Sequence, residues 1–218
     1  MTDDSNTLAI EGVRFFGEMS ASISHEMKNA LAIINENAGL LTDMVGLSEQ
    51  GMPISMERLV GLAQSITRQV KRGDLIVKRF NRFAHSADHP GEIVDIAETV
   101  GFVIDLAARL ITMRGSTLQI EAPPEPVRLK TNRFFLENLM WNCLDRIMDA
   151  VAPAQGQPAR IIIEAENTGA RIRFCGPAQT VLSGATDFPS DRDLAICRSL
   201  GARLTADNEN HQITLILP

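Results

Sequence analysis

The chain has 218 residues, of which 44% are hydrophobic, and a formal net charge of −6. This length suits one or two domains with an ordinary core, and the acidic balance argues against nucleic-acid binding, which needs a basic face. No apolar run of about 18 residues is present, so no membrane span is expected, and the acidic N-terminus argues against a secretory signal. Cys143, Cys175 and Cys197 lie among apolar residues, which favours reduced core thiols and a cytoplasmic location over disulfides or a metal site.

The first predicted element is a long amphipathic helix from about Leu8 to Leu47. Its apolar positions recur every three or four residues, at Ile23, Met27, Leu31, Ile34, Ala38, Leu41 and Val45. A break at Gly51 and Pro53 follows, and Ser55 is the predicted N-cap of a second helix whose heptad pattern runs to Phe83. Two long helices with a short connection predict an antiparallel hairpin. Periodicity leaves its exposed flank two possible partners: a second hairpin, which closes a four-helix bundle, or the rest of the chain.

Beyond a predicted hinge at residues 85–91, short helices and strands alternate. In chain order we predict a strand at 92–96, a helix at 97–114, a strand at 117–121, a proline-marked loop at 123–126, a helix at 134–151, a hairpin of strands at 160–166 and 170–174, a helix at 193–200, and paired strands at 204–206 and 212–217. This order predicts an α/β sandwich with helices on one face of a mostly antiparallel sheet.

One histidine has chemically suggestive neighbours. His25 is followed directly by the carboxylate of Glu26 and falls beside the apolar stripe of the first helix, so its ring is expected to be open to a partner. An imidazole has a reference pKa of about 6.5, so at neutral pH one ring nitrogen is largely free to act as a nucleophile. A single helical histidine is more often an ordinary surface residue, and the surrounding motif therefore decides its interpretation.

The string His25-Glu26-Met27-Lys28-Asn29-Ala30-Leu31 resembles the phosphoacceptor motif of bacterial two-component sensor histidine kinases, His-Glu-(Leu/Ile/Met)-(Lys/Arg)-(Asn/Thr)-Pro-Leu. Ala30 replaces the proline, which should straighten the helix. The resemblance implies that His25 is the phosphoacceptor. It also implies that Glu26 orients the imidazole, unless Glu26 is an ordinary solvated carboxylate, and that Asn29 acts in transfer or in a phosphatase side reaction. Lys28 and Ser22 are candidate partner contacts, with a plain surface charge as the alternative for Lys28.

With the motif, the element order resembles the whole histidine-kinase scaffold. Residues 1–88 would form a dimerisation and histidine phosphotransfer hairpin, giving a four-helix bundle in a homodimer. Residues 89–218 would form a sandwich like the family's ATP-binding domain. In that domain a helix carries two asparagines four residues apart, the second of which binds Mg²⁺. In our preferred alignment Asn142 matches the first and Arg146 replaces the second, and a guanidinium offers only donors. Asn138 and Asn142 are also four apart, and that alignment would keep an oxygen ligand.

Two further nucleotide motifs of the family are altered. The adenine-binding Asp-x-Gly-x-Gly matches Phe174-Cys175-Gly176-Pro177-Ala178, which lacks the carboxylate and the last glycine. The phosphate-binding Gly-x-Gly-Leu-Ala-Ile matches Asp191-Arg192-Asp193-Leu194-Ala195-Ile196, where two carboxylates would repel a nucleotide. These altered positions predict a relic domain that binds no nucleotide, no metal and no other cofactor.

A phosphoacceptor without a working kinase domain must be phosphorylated by another protein. The chain then resembles the dimeric histidine phosphotransferases derived from kinase scaffolds, in which the histidine shuttles phosphate between receiver-domain aspartates and the receiver supplies Mg²⁺. The expected partners are a second copy of the chain, response-regulator receiver domains, and an upstream hybrid kinase or regulator. Two alternatives stay open: an ATP-dependent sensor histidine kinase with divergent nucleotide motifs, and a non-catalytic dimeric scaffold that binds response regulators.

Overall fold

The computed structural model describes residues 2–89, 91–150, 158–176 and 188–218. Two long helices come first, α1 (Thr2–Glu49) and α2 (Met56–Ser86), and an α/β region follows. This order confirms the predicted fold class. The predicted N-cap of α2 is also present, because the backbone N–H of Arg58 donates to the Ser55 hydroxyl over 3.3 Å.

The chain divides into two compact units, and the division falls inside α1. One unit is Ser20–Phe83, the helical hairpin, and the other combines Met1–Met19 with Ala84–Pro218. The first part of α1 therefore belongs with the α/β region, whereas the sequence-based prediction places it in a hairpin domain spanning residues 1–88.

The α/β unit contains two sheets and four helices among its described residues. Its elements in chain order are β1 (Glu92–Asp95), α3 (Ile96–Leu106), α4 (Ala108–Met113), β2 (Leu118–Glu121), β3 (Arg128–Thr131), α5 (Arg133–Ala150), β4 (Ala159–Ala165), β5 (Ala170–Cys175), α6 (Asp191–Leu200), β6 (Arg203–Asp207) and β7 (Gln212–Leu217). The larger sheet has the order β2-β4-β5-β7-β6, in which the β2–β4 pair is parallel and the other pairs are antiparallel. β1 and β3 form a separate antiparallel pair.

Two details differ from the sequence-based prediction. Strand β3 was not predicted, since its four residues follow the proline loop and lack an apolar run. The helix predicted at 97–114 is two helices, because the backbone of Ala107 leaves helical geometry at φ −94° and ψ 7°. No glycine or proline marks that break, so the sequence carries no signal for it.

The sandwich core lies between the larger sheet and its helices. Inward-facing strand residues alternate with outward polar ones, as Ile161 and Ile163 do on β4. Trp141 and Phe134 on α5 are buried, whereas Phe135 is only half-buried. This burial fixes α5 against the sheet and leaves its other flank toward α6.

The three cysteines are buried and unpaired. Burial is the main cause that raises the pKa of the Cys197 thiol to about 11, and it also raises the pKa of Cys143 well above its ordinary value. All three thiols are therefore protonated, unreactive side chains at neutral pH. In the described part of the chain no helix is long and apolar enough to cross a membrane.

Among the described glycines, Gly169 leaves the least space for a side chain. It lies in the turn between β4 and β5, where a Cβ atom would come within 2.0 Å of the Leu217 carbonyl oxygen on β7. We expect Gly169→Ala to lower the free energy of unfolding by about 1–3 kcal/mol, because the strand backbone must move apart. Gly101 in α3 has open space around it and is the matched control. Gly101→Ala should be neutral or stabilising by up to about 1 kcal/mol in the same urea titration. Equal stability of the two variants would contradict the close approach.

Candidate functional site

The predicted phosphoacceptor lies on the exposed surface of α1 within the hairpin unit. His25 is exposed, and so are Lys28 and Asn29, which follow it by three and four residues. Residues at this spacing are neighbours on one helix face. The structure therefore brings His25, Lys28 and Asn29 together on one surface that a partner protein can reach.

Two predicted site residues face elsewhere. Ser22, predicted as a partner contact, is only 3% exposed, so its side chain is buried within the hairpin unit rather than on the face of His25. Glu26 is also largely covered, with a side chain 14% exposed, and its Oε2 atom lies 3.8 Å from Nη2 of Arg72 on α2. Arg72 was not identified from the sequence, since no local motif marks which residue of α2 lies opposite Glu26.

An apolar groove runs along the hairpin beside these residues. It has a volume of about 470 Å³ and is lined mainly by Ile23, Met27, Leu31, Ile76, Val77 and Phe80, with Ser24 and Lys28 at its margin. Ser24 precedes His25 in the chain and Lys28 lies one turn beyond it. The phosphoacceptor candidate is thus flanked by an apolar surface.

The α/β unit has a separate polar cavity of about 350 Å³ at the position of the altered nucleotide motifs. It is lined by Asn138, Asn142 and Arg146 from α5, by Arg192 and Asp193 at the start of α6, and by Glu11, Arg14, Phe15 and Glu18 from the first part of α1, among others. Both pairs considered in the sequence alignment, Asn142 with Arg146 and Asn138 with Asn142, therefore line the same cavity.

The carboxylate of Asp193 lies at the N-terminus of α6 and forms hydrogen bonds within the protein. Its Oδ2 atom accepts hydrogen bonds from the backbone N–H and the hydroxyl of Ser190, at 2.9 and 2.7 Å. The Ser190 hydroxyl in turn accepts from the Asp193 N–H, which completes a capping box. The helix N-terminus, where a phosphate would bind, thus already holds a negative charge of the protein itself.

The asparagines of the cavity also bond to the protein. Nδ2 of Asn142 donates to Oδ1 of Asp193 over 2.9 Å, and Nδ2 of Asn138 donates to the Glu11 carbonyl oxygen over 3.4 Å. Arg146 lines the same cavity and brings a positive charge where a metal ligand would be needed. Among the described residues no cluster of three or more His, Cys, Asp or Glu side chains is arranged to hold a metal ion.

The first part of α1 closes one side of this cavity. Glu11 is 6% exposed and its Oε1 atom lies 3.2 Å from Nη1 of Arg192. Asp4 accepts two hydrogen bonds from Arg198, which lower the pKa of its carboxyl group, and Phe15 contacts Phe134 with ring centroids 5.5 Å apart. The role of the first part of α1 in lining this cavity was not predicted. The sequence did carry a signal for it, because Phe15 and Met19 extend the apolar pattern of α1 beyond the length that α2 can cover.

Phe174, which replaces the family's adenine-binding aspartate, is buried on the inward face of β5, opposite Ile213. Asp191 is exposed at the first turn of α6. Ala178 lies outside the described residues.

Comparisons with known proteins give structural matches only. No protein-family model matches the sequence, and no curated protein matches it. Three similar solved structures, each with a TM-score of 0.46, are the Acinetobacter baumannii histidine kinase AdeS (14% identity, covering 88% of this chain and 96% of that one), the catalytic domain of histidine kinase ThkA (18%, 60% and 97%) and a bacterial phosphotransferase (17%, 93% and 95%). At these identities the likeness is one of fold.

The hydrogen bonds of Asp193 yield a stability test. We expect Asp193→Ala to lower the free energy of unfolding by about 1–3 kcal/mol, because the Ser190 groups and the Asn142 amide lose their acceptor. Asp191→Ala is the matched control, since it removes a carboxylate two residues earlier that is exposed and contributes through the helix dipole, about 0.3–1 kcal/mol. Thermal or urea unfolding of both variants measures the difference. Equal losses would show that Asp193 has no special capping role.

Proposed function

We propose that this protein is a histidine phosphotransfer protein of a two-component phosphorelay. His25 would carry a phosphoryl group between the receiver-domain aspartates of response regulators. The observation that carries the proposal is the contrast between the two sites: His25 is exposed beside an apolar groove, whereas the donors of the polar cavity already bond to Asp193 and Glu11.

The chemistry proposed for His25 is an in-line displacement. One ring nitrogen attacks the phosphorus of a receiver's aspartyl phosphate, the P–O bond to the aspartate breaks, and the aspartate leaves as a carboxylate. The other ring nitrogen keeps its proton, so the phosphorylated ring carries a positive charge. The receiver's Mg²⁺ neutralises the transferring oxygens, and the reverse displacement passes the group to a second receiver. In this proposal Asn29 and Lys28 contribute to the receiver-facing surface, because they are exposed on the same helix face.

Several contacts argue against an ATP-dependent kinase. A bound triphosphate would have to displace the Asp193 carboxylate from the start of α6 and compete with Glu11 for Arg192. The phosphate oxygens and these two carboxylates would carry like charges, which repel strongly in a partly covered site. We therefore propose that the polar cavity binds no nucleotide and that the phosphoryl group comes from another protein.

We also propose that the hairpin is completed by a second copy of the chain. On α1, Met27, Ile34 and Leu41 are half-buried, whereas the alternate stripe positions Leu31, Ala38 and Val45 are exposed. Large apolar side chains that are 57% exposed at Leu31 and 52% at Val45 make a continuous unburied edge of the heptad. A second hairpin buries this edge in a four-helix bundle.

The phosphotransfer proposal predicts a specific phosphoprotein. Incubation with receiver domains phosphorylated by radiolabelled acetyl phosphate should transfer acid-labile label to the wild type, and His25→Ala should abolish the transfer. His85→Ala is the matched control, since His85 is another exposed helical histidine, and it should keep the full rate. Label from ATP alone would establish the kinase alternative. Receiver binding without label from either donor would establish the scaffold.

The dimer proposal predicts the effect of a charge on the exposed stripe. Val45→Glu should convert a dimer into a monomer in sedimentation velocity, because the buried carboxylate would lack a partner in the bundle. Val45 lies more than five helical turns from His25, so the phosphoacceptor surface is left unchanged. Ala32→Glu, at an exposed position of the same helix more than 90° away from the Leu31, Ala38 and Val45 stripe, is the control and should stay dimeric. A wild-type monomer, or a dimeric Val45→Glu variant, would refute the arrangement.

A further inference from the structure

Glu26 is the covered neighbour of an exposed histidine. Successive residues on a helix point about 100° apart, so the Glu26 carboxylate faces α2 while the His25 ring faces solvent. In the described part of the chain His25 makes no hydrogen bond to Glu26. The carboxylate instead lies 3.8 Å from the guanidinium of Arg72, whose side chain is 48% exposed.

A carboxylate that is largely removed from water requires a compensating charge. Arg72 is that charge for Glu26, and it reaches across from the opposite helix of the hairpin. Arginine stays protonated at all relevant pH values, so this opposite charge is permanent. The position of the Glu26 carboxylate on the residue next to the phosphoacceptor therefore depends on a residue 46 positions further along the chain.

This arrangement bears on the step in which His25 becomes phosphorylated. As the nitrogen–phosphorus bond forms, the ring changes from neutral to positive because the other ring nitrogen keeps its proton. A fixed negative charge on the adjacent residue stabilises that positive ring, and a charge fixed in advance needs no reorganisation during the reaction.

We propose that Arg72 is a positioning residue for phosphoryl transfer through His25. Arg72 acts through Glu26: it fixes the position of the carboxylate on the residue next to His25. This inference rests on the proposed phosphotransfer function and extends it to a residue of α2.

The experiment measures the rate of label transfer from a phosphorylated receiver domain to the full-length chain. Arg72→Gln and Glu26→Gln should each slow transfer by about fivefold to tenfold, and the double variant should be no slower than either single variant, as expected for coupled residues. Arg72→Lys keeps the charge and should recover most of the rate. Arg68→Gln removes an exposed arginine one turn earlier on α2 and should leave the rate unchanged.

A charge exchange separates positioning from a purely structural ion pair. The Glu26→Arg/Arg72→Glu variant keeps opposite charges on the two helices but puts a cation next to His25. We expect its melting temperature to stay near that of the wild type and its transfer rate to remain at least as slow as that of Glu26→Gln. Recovery of the wild-type rate in the exchanged variant would show that only the helix–helix clamp matters.

The outcomes distinguish this inference from the proposed function. If the wild type takes no label, or if His25→Ala keeps it, the phosphotransfer proposal fails. If the wild type is labelled on His25 and Arg72→Gln transfers at the wild-type rate, the phosphotransfer proposal stands and the positioning role of Arg72 is refuted. Additive losses in the Arg72→Gln/Glu26→Gln variant would likewise refute action through Glu26.

Discussion

The hydrogen bonds of the Asp193 carboxylate constrain how α6 packs against α5 in the α/β unit. A helix N-terminus leaves backbone donors unsatisfied and attracts an anion, and here the anion is a side chain of the helix itself. Because the same carboxylate accepts from Asn142, it also fixes the start of α6 against α5. The Asp193 carboxylate and the Asn142 amide, which both line the cavity, therefore bond within the protein.

The polar side chains of the two units differ in how exposed they are and in whether they already have partners within the protein. In the α/β unit, Asn142 donates to Asp193 and Asn138 donates to the Glu11 carbonyl oxygen, so these side chains already have partners within the protein. In the hairpin unit, His25 is exposed, and the carboxylate of the adjacent Glu26 lies near Arg72. A nucleophile that receives its phosphoryl group from another protein needs the second kind of site, because the partner must approach the ring directly and bring its own metal ion.

Several elements followed directly from local sequence signals, and others carried none. The heptad spacing of the two long helices and the Ser55 cap predict the hairpin, since helix periodicity and capping are local properties. Strand β3 and the break at Ala107 were missed because four residues without an apolar run, or a single alanine, give no local signal. The burial of Ser22 was not predicted, because its position beside the motif indicates nothing about which face of α1 becomes buried.

The sequence by itself determined the phosphoacceptor candidate, the exposed helix face that carries it, and the loss of glycines and carboxylates from the nucleotide motifs. These are properties of residue identity and of spacing along one helix or loop. Only the tertiary structure decided that Asp193 accepts a hydrogen bond from Asn142, that Glu11 lies against Arg192, and that Arg72 lies opposite Glu26. The reason is physical: each of these pairs joins residues about 46 or more positions apart, and such contacts depend on packing between elements, which local periodicity does not encode.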